Sequence, residues 1–263
     1  MSDYLGTDTM IALQRQLRER QPEFDRNPLI ANGGRIMNIL DPDRFGWDRV
    51  QDMAIQDRCV ALSMVERDAT LQVLKGMFSG TAEYPFWEVF TGSHHDVLRA
   101  SNSVLAQHKL QPGWRVESDQ NPTDMVIKEA QTLSMSVGVA PAPAYYMRGE
   151  TLPAILTCIY DDQGKMIACA SGNMRYHPQS DYAGWIFAGG ICVDEDYRGL
   201  GLGSIVTAAL LRDSQSAFGW SYSIAQARID NLASVGMIRK CGLAQDPGKA
   251  TIIINLTGDI VTR

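Results

Sequence analysis

The feature that most restricts this chain is a glycine-rich segment, Arg198-Gly199-Leu200-Gly201-Leu202-Gly203-Ser204. It lies between an apolar run at residues 184–193 and an amphipathic stretch carrying Val206, Ala209 and Leu210 on one face. Alternate glycines at such a junction leave backbone N–H groups clear of side chains at the positive end of a helix, which suits a phosphate group. A plain tight turn is the competing reading, since short glycine patterns recur for purely structural reasons. A dinucleotide-binding loop would place its first glycine directly after the strand and its third at GxGxxG spacing. Here residues 194–198 intervene and that third position is Ser204, so an NAD-dependent oxidoreductase ranks last, kept only by Asp230 after the next strand.

The surrounding pattern is that of an α/β (α+β) chain. Residues 153–160 and 165–171 read as strands joined by the turn Asp161-Asp162-Gln163-Gly164. A helix is expected over 125–137 after Asn121-Pro122-Thr123-Asp124, and a short strand at 114–117. Residues 221–229, apolar on both faces, fit a central strand. Asn231 is placed to cap a helix over 232–240 that Gly242 stops, and 251–256 make a last strand.

Before Gly113 the periodicity is helical. Ile11 and Leu17 mark one helix, Trp47, Val50, Ala54, Ala61, Leu62 and Val65 a longer one, and Leu71, Leu74 and Phe78 a third. Ser93 caps a fourth with Val97, Leu98, Val104 and Leu105, and no strand is read there. With Gln111-Pro112-Gly113 as punctuation, the division is a mostly helical region, 1–112, and an α/β domain, 113–263. No internal repeat is evident, which argues against a tandem duplication.

Composition excludes several functions. Lys+Arg 24 against Asp+Glu 30, a net charge of -6 and no basic run leave little to neutralise phosphate backbones or anionic membranes. The longest uncharged stretch, 130–147, contains Gln131, Pro141 and Pro143 and is no membrane span. The opening residues lack a signal pattern, so a cytoplasmic location is expected. Five cysteines, odd in number and never in a CxxC pair, read as buried thiols, with no metal site. His94-His95 reads as a surface pair whose rings point apart on a helix.

The run Ile191-Cys192-Val193-Asp194-Glu195-Asp196-Tyr197, leading into the glycine loop, closely resembles motif A of the GCN5-related N-acetyltransferases, with its R/Q-x-x-G-x-G/A loop. Asn231, Ser234, Met237, Lys240, Gly242 and Leu243 match that family's second signature, N-x-x-A/S-x-x-L-Y-x-K-x-G-F, on the expected strand-then-helix. The resemblance spans roughly residues 113–263 and implies that family's mixed central sheet flanked by helices, with acetyl-CoA as co-substrate. It implies that the Val193 backbone pairs with the pantetheine arm, that Ile191 and Cys192 line a splayed strand, and that N–H groups of residues 198–204 hold the pyrophosphate. Asn231 would contact the cofactor beyond the next strand; a simple helix cap is the alternative, and one side chain can serve both.

Two positions depart from the family. Phe187 stands where the histone-acetylating branch has a glutamate base, and Ile238 where many members have a tyrosine acid. Substitutes within the sequence are Tyr182, Asp181, His177, Tyr222 and Cys241, and the catalytic candidates are Tyr182, Tyr222 and the Val193 N–H as oxyanion donor. The expected activity is acetyl transfer to a small-molecule amine by direct attack, without an acetyl-enzyme on Cys241. A non-catalytic CoA-binding sensor or scaffold is the alternative. The helices of residues 1–112 are expected to pack on the acyltransferase domain and wall the acceptor site, the other reading being an independent domain or a homodimer surface.

Overall fold

The computed structural model describes residues 3–78, 80 and 82–258, so the last five residues of the 113–263 span lie outside the described residues. In the first 112 residues, helices α1 (Asp8–Glu19) and α2 (Gln21–Phe24) precede strands β1 (Ile30–Asn32) and β2 (Met37–Ile39). Helices α3 (Pro42–Phe45) and α4 (Trp47–Asp57), β3 (Cys59–Glu66), α5 (Arg67–Met77), β4 (Phe86–Ser93) and α6 (His94–Gln107) follow. Beyond Gly113 come β5 (Arg115–Asp119), α7 (Asp124–Ser136), α8 (Ala144–Met147), β6 (Ala154–Tyr160), β7 (Met166–Asn173) and β8 (Trp185–Val193). The chain continues through α9 (Leu202–Phe218), β9 (Tyr222–Ala227), α10 (Leu232–Lys240) and β10 (Ala244–Asn255).

All ten strands belong to one mixed sheet in the order β1-β2-β3-β10-β4-β9-β8-β7-β6-β5. The expected absence of strands before residue 113 is therefore corrected by β1 to β4. In place of one helix through Val65, α4 stops at Asp57, Arg58 turns the chain at φ 61, and β3 begins. The misreading has a physical cause. Every residue of β3 except Glu66 is buried, and an apolar run covered on both faces carries no period that tells strand from helix.

The sheet also unites the two regions. β10 lies between β3 and β4 and is antiparallel to both, while β4 pairs with β9. Val97 and Val104 of α6 share a core with Val206 and Leu210 of α9, and Val50, Ala54 and Leu74 cover Leu62 and Ile252 in a second core. Buried Glu88 on β4 accepts from Arg67 at 2.8 Å and from Gln245 of β10 at 3.2 Å, tying these elements with satisfied polar contacts. The caps follow expectation: Ser93 accepts from the Asp96 amide, Thr123 from Val126, and Gly219 closes α9 in the left-handed conformation. Among the described residues, no helix is long and apolar enough to cross a membrane.

Candidate active site

β8 and β9 are parallel neighbours only at Trp185–Tyr222, Ile186–Ser223 and Phe187–Ile224. Beyond Phe187 the two strands part, and the sheet opens between its two halves. On the other side of β8, a register irregularity between Cys169 and Ser171 accompanies Gly190 at φ 62, the signature of a bulge that bends the strand. After the bulge, the Asp194 amide donates to the Ile167 carbonyl at 2.9 Å. That bond makes Ala168–Val193 a non-hydrogen-bonded pair, so the Val193 N–H and C=O turn away from β7 and face the gap.

The glycine loop lies at the end of this strand. Gly201 takes φ 77 and is the N-cap of α9, with no side chain capping the helix. A Cβ there would approach His108 Nδ1 to 3.8 Å, whereas one at Gly199 would meet nothing within 4 Å. The result is an uncapped helix start with open space above it and free backbone donors beside the gap. These residues fit an anionic pyrophosphate with an extended arm running along Val193.

A cleft of about 200 Å³ fills the opening. Gly189, Gly190 and Ile191 form one wall, Gln226 and Ala227 the other, and Asn231, Ser234, Met237 and Ile238 close the α10 side. Asn231 accepts from the Ser234 amide at 3.1 Å, so it is a helix cap whose amide nitrogen remains available to the cleft. Cys192, next to Ile191, is buried and packs among α7 residues rather than lining the opening. The remaining walls come from Arg35, Ile36, Asn38, Ala61 and Trp87, so residues 1–112 do reach the cleft. They do so through the β1–β2 turn and strands, not through the helices that were expected to form the wall. The turn bridges the two halves of the molecule: Arg35 Nη1 donates to the Ala140 carbonyl at 2.6 Å, and Tyr146 Oη donates to the Asn32 carbonyl at 3.1 Å.

Residues 126–243 match the family model described as "Acetyltransferase (GNAT) family". Residues 126–243 form a GNAT acetyltransferase domain. The fold likeness is wider than that domain. A GCN5-related N-acetyltransferase from Kribbella flavida superposes with a TM-score of 0.60 at 14% identity, over 94% of this chain and 96% of that one. A GCN5-related N-acetyltransferase-like protein from Streptococcus suis gives 0.55 at 13% identity over 92% and 100%. A tandem GNAT protein from the clavulanic acid biosynthesis pathway gives 0.57 at 14% identity over 85% and 75%. No curated protein matches the sequence.

Within the GNAT domain, the named positions divide. Phe187 and Ile238 both line the cleft, so the two places where the family pattern is broken do face the opening, and neither carries a titratable group. Tyr182 and Tyr222 do not line it. Tyr182 packs between Tyr176 and Trp185, and Tyr222 stacks on Trp185 at 4.8 Å where β8 and β9 are still paired, two residues before the pairing ends. Asp181 meets Arg44 at 3.4 Å, and His177 accepts from the Gln179 amide at 3.0 Å, so both are loop contacts. Cys241 is fully buried, and burial pushes its thiol up to about 12. The other four cysteines are also buried and free. The His94 and His95 rings, expected to diverge, lie 3.9 Å apart at the first turn of α6, where no preceding turn crowds them.

Sequence reasoning missed Arg35, Asn38, Trp87 and Arg175, which also line the cleft. One local signal was present for the first: Asn32-Gly33-Gly34 is hairpin turn chemistry. Arg175 follows β7 with no pattern of its own.

Proposed function

We propose that this chain transfers the acetyl group of acetyl-CoA to the amine of a small molecule. The observation that carries the reading is the junction of the β8–β9 opening with the uncapped α9 N-terminus. When bound, acetyl-CoA supplies the thioester. This chain's residues do the rest. The amides at the start of α9 bind the pyrophosphate, and the Val193 C=O and N–H align the pantetheine arm as an added strand would. A backbone N–H facing the gap is also the donor available for charge developing on the carbonyl oxygen. Ile191, Met237 and Ile238 exclude water from the apolar side of the cleft.

Proton transfer is the unusual part. Among the described residues that line the cleft there is no Asp, Glu, His or Lys. Tyr146 is buried and its hydroxyl is pushed above the usual tyrosine range by that burial, so it does not serve as a base near neutral pH. The attacking amine therefore loses its proton to water. General acid–base help is worth about 10²- to 10⁴-fold, so the enzyme should be slow. Its kcat/KM should rise with pH up to the acceptor amine's own pKa, with no lower inflection from a protein group.

Thiol release from acetyl-CoA across a panel of amines tests the reading, with acetyl-CoA and NAD thermal shifts alongside. A larger shift with NAD would overturn it. The cleft positions of Phe187 and Ile238 favour one second reading, a CoA-binding sensor, for which acetyl-CoA would stabilise the fold while no amine turned over.

A further inference from the structure

Beside the cleft, an inner compartment of about 40 Å³ opens under the β1–β2 turn. Gly33, Arg35, Arg175, Phe187 and Gly190 line both spaces, so the two are continuous at the β8 bulge, where the strand opens. Arg35 and Arg175 thus present two guanidiniums to one cavity. Among the described residues, no Asp or Glu lines either space.

That arrangement departs from the molecule's other partly buried arginines, although several exposed ones also lack a carboxylate partner. Arg20, Arg67, Arg148 and Arg212 are each paired with a carboxylate at 2.9 Å or less. Even Arg228, at the rim of the same cleft, is paired with Asp230 through two nitrogens, at 3.1 and 2.8 Å. Among the described residues, Arg35 and Arg175 have no such partner. Arg35 donates only to the Ala140 carbonyl, and the buried Nε of Arg175 has no hydrogen-bond partner at all. Burying a charged donor without an acceptor is costly, and two like charges sharing the space add to the cost. The same two causes, burial first and then Arg175, draw the Arg35 guanidinium below its ordinary pKa.

The structure also fixes these groups in place. The Arg175 guanidinium lies 3.4 Å from the centroid of the Phe187 ring, which sets its plane. Gly33 lets the turn approach it, since a Cβ there would lie 3.3 Å from Arg175 Nη1 and would collide with Asn38 Nδ2. Phe187, the residue in place of the family's glutamate, is therefore a platform for an arginine. A planar anion with two oxygens fits such forks, and the compartment has room for little more.

We propose that Arg35 and Arg175 hold the carboxylate of the acceptor, which makes the acceptor a small amino-acid-like molecule carrying both amine and carboxylate. This rests on the acetyl-transfer reading above. The carboxylate occupies the inner compartment and the amine reaches back past Gly190 toward the thioester.

The test compares free amino acids with their carboxamides and with aminophosphonates of the same chain. Readouts are acetyl-CoA-dependent thiol release and, separately, the thermal shift each compound gives in the presence of CoA. Carboxylates should exceed carboxamides in kcat/KM by about 10²-fold, as expected when charge-assisted hydrogen bonds are lost. Arg175→Gln and Arg35→Gln should each remove most of that preference, chiefly through KM, while the acetyl-CoA thermal shift persists. Arg175→Lys, which keeps the charge but not the fork, should fall between. Equal use of carboxylate and carboxamide, an unchanged preference in all three variants, or a preference for aminophosphonates would overturn the assignment. If no amine turns over, binding decides. Carboxylates that stabilise the wild type but not the glutamine variants support the arginine site even though acetyl transfer has failed, and no shift in any protein overturns both.

Discussion

The two ends of the candidate site offer donors by different means. At one end, residues 198–204 present main-chain donors at the start of α9, and every contributing residue is adjacent in sequence. At the other, Arg35 and Arg175 present side-chain donors, brought together by a turn that crosses from one half of the sheet to the other. A main-chain site needs only a local conformation and free space, so it tolerates wide change elsewhere. A side-chain site made of distant parts depends on the whole fold and is the natural place for acceptor specificity to reside.

Substitution at Gly201 should separate the two ends most sharply. Gly201→Leu places a side chain at φ 77, directly over the uncapped helix start, and should abolish the acetyl-CoA thermal shift while carboxylates still stabilise the protein. Retention of both shifts would mean that the pyrophosphate does not sit on this loop. A gain of function comes next. Ile238→Tyr restores a hydroxyl on the cleft wall and should raise kcat by about tenfold, less than the roughly 10²- to 10⁴-fold of a fully positioned general acid. An unchanged kcat would show that the leaving thiolate is protonated by water whatever the side chain.

A smaller effect is expected from cutting the chain at residues 111–113. Because β10 pairs with β3 and β4, and β4 with β9, the fragments should co-elute on size exclusion and keep most carboxylate preference. Separation into two folded pieces would break the claim that the side-chain end depends on both regions. Cys241→Ala should change kcat/KM least, by less than about twofold. With the thiol pushed up to about 12, only about one molecule in 10⁴ carries a thiolate at pH 8, and raising the pH toward 12 is what would expose it. Acetylation of Cys241 by acetyl-CoA alone would contradict this.

The same contrast explains what could be read in advance. The glycine loop, the Asn231 cap, and the β6–β7 hairpin with its Asp161 turn are local, and their residues carry the pattern within a few positions. The strands β3 and β4 were not legible as strands. β3 is buried on both faces, and β4, although rich in aromatic and β-branched residues (Phe86, Trp87, Val89, Phe90, Thr91), leads directly into the stronger helical period of α6. For the candidate site, Ile191 and Asn231, named from the motifs, were found lining the cleft. The tyrosines were not, because distance along a strand, which decides whether Tyr222 reaches the opening, depends on where β8 and β9 stop pairing. Arg35 and Arg175 could not be paired from sequence, since nothing local requires a turn after β1 to meet a loop after β7.

The insertion of β10 between β3 and β4 has a consequence for biosynthesis. Strands β3 and β4 leave the ribosome early, and each has a main-chain edge that is filled only by a segment made much later. Until then both edges are exposed, apolar and competent to pair with another nascent chain. The protein should therefore depend on chaperones during synthesis more than its ordinary composition suggests, and chains arrested before residue 244 should aggregate.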